Sequence, residues 1–133
     1  MSKLPDIRMR RAYDGAGPAD GCRVLVDRLW PRGVSKDDLQ IAHWMRGLAP
    51  STGLRKNYCH DPEKWEDFRA RYFDELREHP ENVNPLLALC AREPVTLVFA
   101  AKDAGHSNAR ALKEFLEEEL AKDRAKKKDS AKT

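Results

Sequence analysis

Cys22-Arg-Val-Leu-Val-Asp-Arg-Leu-Trp30 and Val95-Thr-Leu-Val-Phe-Ala-Ala101 decide the fold of this chain. Both are short, rich in β-branched and aromatic residues, and apolar without a break at their centres. A strand with one face in water alternates apolar and polar side chains. A continuous run is what a strand needs when both faces are covered, as in a parallel sheet beneath helices. Val24–Trp30 and Val95–Ala101 are therefore expected to be parallel, adjacent and buried, joined by the long helical stretch between them. Ile7-Arg-Met-Arg-Arg-Ala does alternate, and reads as a half-exposed strand at an edge.

Outward from these strands the chain reads mainly as helix. Asp61 is placed to cap, and Pro62 suits a first helical position. Trp65, Phe68, Tyr72, Phe73 and Leu76 then fall on one helical stripe, which reads as core, and His79-Pro80 stops it. Asn84-Pro85 opens a short helix carrying Leu86, Leu87, Leu89 and Cys90, so Cys90 is expected as a buried thiol. The last helix starts near Ser107-Asn108 and packs through Leu112, Phe115, Leu116 and Leu120, with Glu114, Glu117, Glu118 and Glu119 facing outward. Ser35 to Leu48 matches neither period, although Ser35 with Asp38 resembles a capping box. The order strand, strand, helices, strand, helix predicts a single small α/β domain with a short, mainly parallel sheet flanked by helices and a ligand edge at the strand carboxyl ends.

Composition narrows the classes. The chain has 133 residues, 41% hydrophobic and 35% charged, with a net charge of +3. From Ala121 to Thr133 six basic residues oppose two acidic ones, a net of +4, which leaves the preceding 120 residues at −1. Residues 1–120 thus form a near-neutral domain, and 121–133 a basic tail expected to be disordered beyond Leu120. A near-neutral body argues against a whole-domain nucleic-acid binder, which needs a basic face. No run is long enough to span a membrane, and Met1 to Arg11 lacks a signal-peptide core. Three cysteines (Cys22, Cys59, Cys90) with no CxxC pair point to a reducing, cytoplasmic setting rather than a disulfide scaffold.

Ligands of open α/β sheets bind beyond the carboxyl ends of the strands. After the central strand come Asp27, Arg28, Trp30, Pro31 and Arg32; after the last come Lys102, Asp103, His106, Ser107 and Asn108, and then a helix. A helix N-terminus attracts anions, and a guanidinium fork holds two oxygens at once. Arg28, Arg32, Lys102 and His106 around that terminus would make a pocket for phosphate, sulfate or a carboxylate, with His106 as a proton donor or acceptor near neutral pH. The plain alternative is that Arg28 pairs with Asp27 or Asp103 and that Ser107 or Asn108 merely caps the helix. Cys59-His60-Asp61 is not read as a triad, because adjacent side chains diverge; His60 is instead a residue of the helix edge that can face the site. The four histidines have no zinc-ligand spacing, and the glycines of Asp14 to Gly21 lack the Gly-Lys-Ser/Thr of a phosphate loop.

Arg23-Val-Leu-Val-Asp-Arg-Leu-Trp-Pro-Arg-Gly33, Leu48-Ala-Pro-Ser-Thr-Gly-Leu-Arg55, His60-Asp-Pro-Glu-Lys-Trp65 and Thr96-Leu-Val-Phe-Ala-Ala-Lys-Asp103, followed by His106 and Asn108, resemble the YeaO-like proteins, domain-of-unknown-function family 488. The resemblance covers nearly everything from Ile7 to Leu120. It implies motif positions at Arg28, Trp30, Arg32, Ser51, Arg55, His60, Asp61, Lys102, His106 and Asn108, but no settled activity, and any cofactor stays unknown. The family pattern usually has an aromatic where this chain has Asn57, often has His-Asn where it has His106-Ser107, and has no motif cysteine at Cys59. Two readings follow. One is a binder of a small anionic or phosphate-bearing ligand, with or without catalysis, through Arg28, Trp30, Arg32, Arg55, Lys102, Ser107 and Asn108, with His106 and His60 as candidate catalytic groups. The other is a non-catalytic interaction domain whose basic tail touches nucleic acid or an acidic protein.

Overall fold

The structure, a computed structural model, describes residues 6–59 and 61–131, with side chains through Lys122. Strands β1 (Ile7–Arg11), β2 (Cys22–Leu25), β3 (His43–Trp44) and β4 (Val95–Phe99) form one sheet in the order β1-β4-β2-β3, every pair parallel. The two continuous apolar runs are its inner strands: Cys22 stands opposite Val95 and Leu25 opposite Val98, and every residue of β2 and β4 is buried. The alternating segment, β1, lies at one edge.

The ladder of β2 ends at Leu25 rather than continuing to Trp30. One more backbone bond, Val26 N to Val98 O at 3.1 Å, extends it, and the next amide of β4's continuation, Ala100 N, donates to the Asp27 side chain at 2.9 Å. A carboxylate thus takes the place of the next ladder acceptor, and the main chain is free to turn away. The ambiguous stretch before Leu48 supplies both α1 (Lys36–Leu39), capped by Ser35 Oγ accepting from Asp38 N at 3.1 Å, and the two-residue β3. Bonds from Ala42 N to Arg23 O and from Met45 N to Leu25 O hold β3 against β2.

The two faces of the sheet differ. Val24, Val26, Val95, Leu97 and Phe99 face a large core built by α2 (Thr52–Tyr58), α3 (Trp65–Glu78), α4 (Pro80–Arg92) and α5 (Asn108–Ala131). Phe68, Tyr72, Phe73 and Leu76 of α3 are buried in it, as the aromatic stripe requires, each contributing about 1.5–3 kcal/mol of burial. Leu25 and Val98, of opposite parity, pack with Ala12 and Leu39 in a smaller cluster. Cys90 is buried, as expected.

Two helix limits differ from expectation. The second long helix begins at Pro80, not Asn84: Pro80 occupies the first helical position, where its missing N–H has no partner to lose, and Pro85 sits inside the helix. The last helix continues past Leu120 to Ala131, through Lys, Arg and Ala residues of high intrinsic helix propensity. No helix among the described residues is long and apolar enough to cross a membrane.

At the amino end of β2 lies a buried ion pair. Arg23, 4% exposed, donates from Nη1 to Asp20 Oδ2 at 2.5 Å and from Nε to Leu39 O at 2.9 Å. Asp20, 5% exposed, also accepts from Gly17 N, and its carbonyl accepts from Thr96 Oγ1. Gly21, with φ of +65°, makes this turn possible: a Cβ there would stand 2.4 Å from the Pro94 carbonyl oxygen.

Candidate functional site

The carboxyl ends of β2 and β4 meet at Asp27. Besides the Ala100 bond, its Oδ1 accepts from Asn108 Nδ2 at 3.2 Å, and the same amide donates to Val26 O at 3.3 Å. Asn108, the first residue of α5, therefore pins that helix to the end of β2. Burial pushes the Asp27 carboxyl above its usual pKa, outweighing the opposing pull of Ala100 N–H, Asn108 and the nearby positive charge of Arg55.

Ser51 builds the wall beside it. Its Oγ caps α2 by accepting from Leu54 N at 3.2 Å. The Ser51 hydroxyl and amide in turn donate to Glu75 Oε2 at 2.5 Å and Oε1 at 2.9 Å, clamping α2 onto α3. Arg28, Ser51, Glu75, Glu78 and His79 line an open cleft of about 260 Å³, with buried Tyr72 beneath it. The Tyr72 hydroxyl donates to the Leu48 carbonyl, and burial raises the pKa of the phenol. A second recess of about 360 Å³ shares Ser51, Glu75 and Glu78 and runs on past Asn57 and Arg71.

The sequence-derived candidates distribute as follows. Arg28 reaches this cleft, its Nη2 donating to Pro50 O at 3.3 Å. Arg55, exposed on α2, acts on Asp27 through its charge. Neither they nor Arg32 and Lys102, both exposed, form an ion pair among the described residues. Trp30 packs away from the cleft: its Nε1 donates to Val34 O at 2.6 Å, and its ring meets Trp44 edge-on at 5.5 Å in the smaller core. Ser107 is buried and caps α5, with Oγ accepting from Arg110 N at 3.2 Å and donating to Ala104 O at 2.9 Å.

His106 sits in a different neighbourhood. Its Nδ1 lies 2.8 Å from Asp103 Oδ2, its ring stands edge-on to Trp65 at 5.2 Å, and its carbonyl accepts from Tyr58 Oη at 3.0 Å. The bond to His106 holds the Asp103 carboxyl below its usual range. His60 lies outside the described residues. Cys59 is exposed and closes α2 in a left-handed conformation, its N–H donating to Arg55 O at 3.0 Å. No group of three or more His, Cys, Asp and Glu among the described residues is arranged to hold a metal ion.

Sequence reasoning missed Glu75 and Glu78. They lie on the exposed side of a helix whose apolar stripe drew attention to the other face, and Glu75 meets Ser51 across 24 residues. No local pattern announces that contact.

Residues 6–133 match a family model described as "Inactive DUF488-N3 subclade". The chain is 38% identical over 111 residues to the uncharacterized protein YeaO of Escherichia coli (strain K12), covering 84% of this chain and 96% of that one. It is 40% identical over 116 residues to the uncharacterized protein Rv3073c of Mycobacterium tuberculosis (strain ATCC 25618 / H37Rv), covering 87% and 98%. No solved structure gives a significant match. A family model spanning nearly the whole chain and relatives covered over almost their full length agree, and the chain belongs to the YeaO-like DUF488 family.

Proposed function

We propose that this chain binds a small anionic ligand, phosphate- or carboxylate-bearing, at the carboxyl-end cleft, and does so without transforming it. One observation carries the reading. Asp27, the acid of that edge, is committed to Ala100 N–H and Asn108, while Arg28 and Arg55 beside it have no carboxylate within ion-pair distance among the described residues. Two guanidinium groups near one partly buried acid leave positive charge without an ionic partner among the described residues at the carboxyl end of β2, Arg28 at the cleft itself, and a bound anion would relieve it. The word "inactive" in the description of the matching family favours binding over turnover. His106, the candidate acid–base group, is paired with Asp103 rather than facing Arg28. Cys22 and Cys90 are buried thiols, the latter pushed up to about 12 by burial, which makes them poor nucleophiles. A cytoplasmic setting rests on the cysteine count and the lack of a CxxC pair.

Calorimetric titration with inorganic phosphate at low ionic strength tests this. Millimolar binding is expected, weakened by about fivefold in Arg28→Ala or Arg55→Ala, as a half-exposed ion pair worth about 1 kcal/mol implies. The competing reading, nucleic-acid contact through the basic tail, is tested by the Lys126→Gln, Lys127→Gln, Lys128→Gln variant. If phosphate binding is absent in the parent chain while this triple variant abolishes salt-dependent binding of a DNA or RNA oligonucleotide, the anion reading fails and the tail reading replaces it.

A further inference from the structure

The cleft that holds Arg28 is not uniformly positive. Glu75 and Glu78 line it as well, and the adjoining recess shares both carboxylates. Apart from His79, whose Nδ1 lies 3.1 Å from Glu81 Oε1, the walls of the first cleft carry one positive and two negative charges, so a purely anionic ligand held at Arg28 is repelled from the other side. The placement of partners sharpens the point. Glu75 accepts two bonds from Ser51, one at each oxygen, and each oxygen has capacity for another donor. Glu78 is exposed and forms no ion pair among the described residues, although arginines pair with Asp67 and Asp74 on the same helix. Arg28 and Glu78 therefore stand on the walls of one cleft, opposite in charge, paired neither with each other nor with another described side chain.

We infer that the ligand of this cleft is dipolar: a small molecule carrying a phosphate or carboxylate for Arg28 and an ammonium group for Glu78, with Glu75 as a further acceptor. The inference rests on the anion reading above and narrows its ligand class. An amine answers the acidic wall in a way that a hydroxyl does not, because it supplies a positive charge together with its hydrogen-bond donors. Mixed charge on the walls also gives selectivity. A dianion loses at Glu78 what it gains at Arg28, and a simple amine does the reverse.

The test compares inorganic phosphate, ethanolamine and phosphoethanolamine on the full chain, by calorimetry or by amide shifts in NMR. Phosphoethanolamine is expected to bind about fivefold more tightly than phosphate, the advantage of one added exposed ion pair. Glu78→Gln, a surface substitution whose folding is checked by its melting curve, is expected to abolish that advantage while phosphate binds equally well or better. Arg28→Ala should weaken both. Phosphate and phosphoethanolamine of equal affinity, or an advantage that survives Glu78→Gln, overturns the dipolar ligand and leaves the anion reading standing. Failure of both to bind removes the anion reading and this inference together.

Discussion

Strand β2 has an acid and arginines at each end, and the two ends use them in opposite ways. At the amino end Asp20 and Arg23 are buried and locked at 2.5 Å, with Gly17 N–H, Leu39 O and Thr96 Oγ1 as further partners, although Arg23 Nη2 is buried with no hydrogen-bond partner among the described residues. At the carboxyl end Asp27 is held by neutral donors, while Arg28 and Arg55 have no ionic partner among the described residues. The titrations follow. Burial raises Asp20, but Gly17 N–H, Arg23 and Arg10 more than offset it, so its carboxyl titrates low. At Asp27 burial prevails, and the carboxyl titrates high. Opposite charges in direct contact stabilise the fold; separated ones leave a surface with something still to bind.

The largest expected effect falls at the amino end. Asp20→Ala strands a buried guanidinium and should cost about 3–5 kcal/mol at neutral pH, read from urea unfolding. A loss near zero would mean that the pair is solvated. Tyr72→Phe, beneath the cleft, leaves the Leu48 carbonyl without its donor and should cost about 1–3 kcal/mol by the same measurement.

The pH dependence separates the ends by sign. Asp20, lowered on folding, contributes stability that is present above its unfolded pKa and lost as pH falls through the folded value. Asp27, raised on folding, does the reverse: its contribution is present below the unfolded pKa and lost as pH rises through the folded value. Asp27→Asn keeps an acceptor for Ala100 N–H and cannot ionise. Relative to the parent chain it should be more favourable at pH 7 than at pH 3, whereas Asp20→Asn should be more damaging at pH 7 than at pH 3. Parallel trends in the two variants would erase the distinction. Truncation after Leu120 touches neither end and should shift stability by only about 0.5 kcal/mol.

The inner strands and the carboxyl-end residues were legible in the sequence, the Asp20–Arg23 pair was not, and the limits have physical causes. Continuous apolar runs announced β2 and β4 as inner parallel strands because burial on both faces removes alternation. β3 was not legible: two residues carry no period, and backbone bonds to Arg23 and Leu25 define it. Pro80 read as a stop because proline ends one helix and begins the next with the same stereochemistry. At the site, chain position after a strand placed Arg28 and Asn108 correctly at the sheet edge. It could not show that Trp30 would turn back onto Trp44, since side-chain direction after the strand depends on where the loop packs. Arg55 entered through the family resemblance alone, and Glu75 through no signal, because its partner Ser51 is distant in sequence and sits on another element.

The most direct measurement follows the arginine side-chain Nε–Hε resonances by NMR during a phosphate titration, with all arginines observed together. Arg28 and Arg55 should shift in a saturable way, while Arg23, buried against Asp20, stays fixed and Arg8, paired with Asp6, barely moves. Uniform small shifts across all arginines, or shifts confined to Arg124 in the basic tail, would contradict an anion site at the carboxyl end of β2.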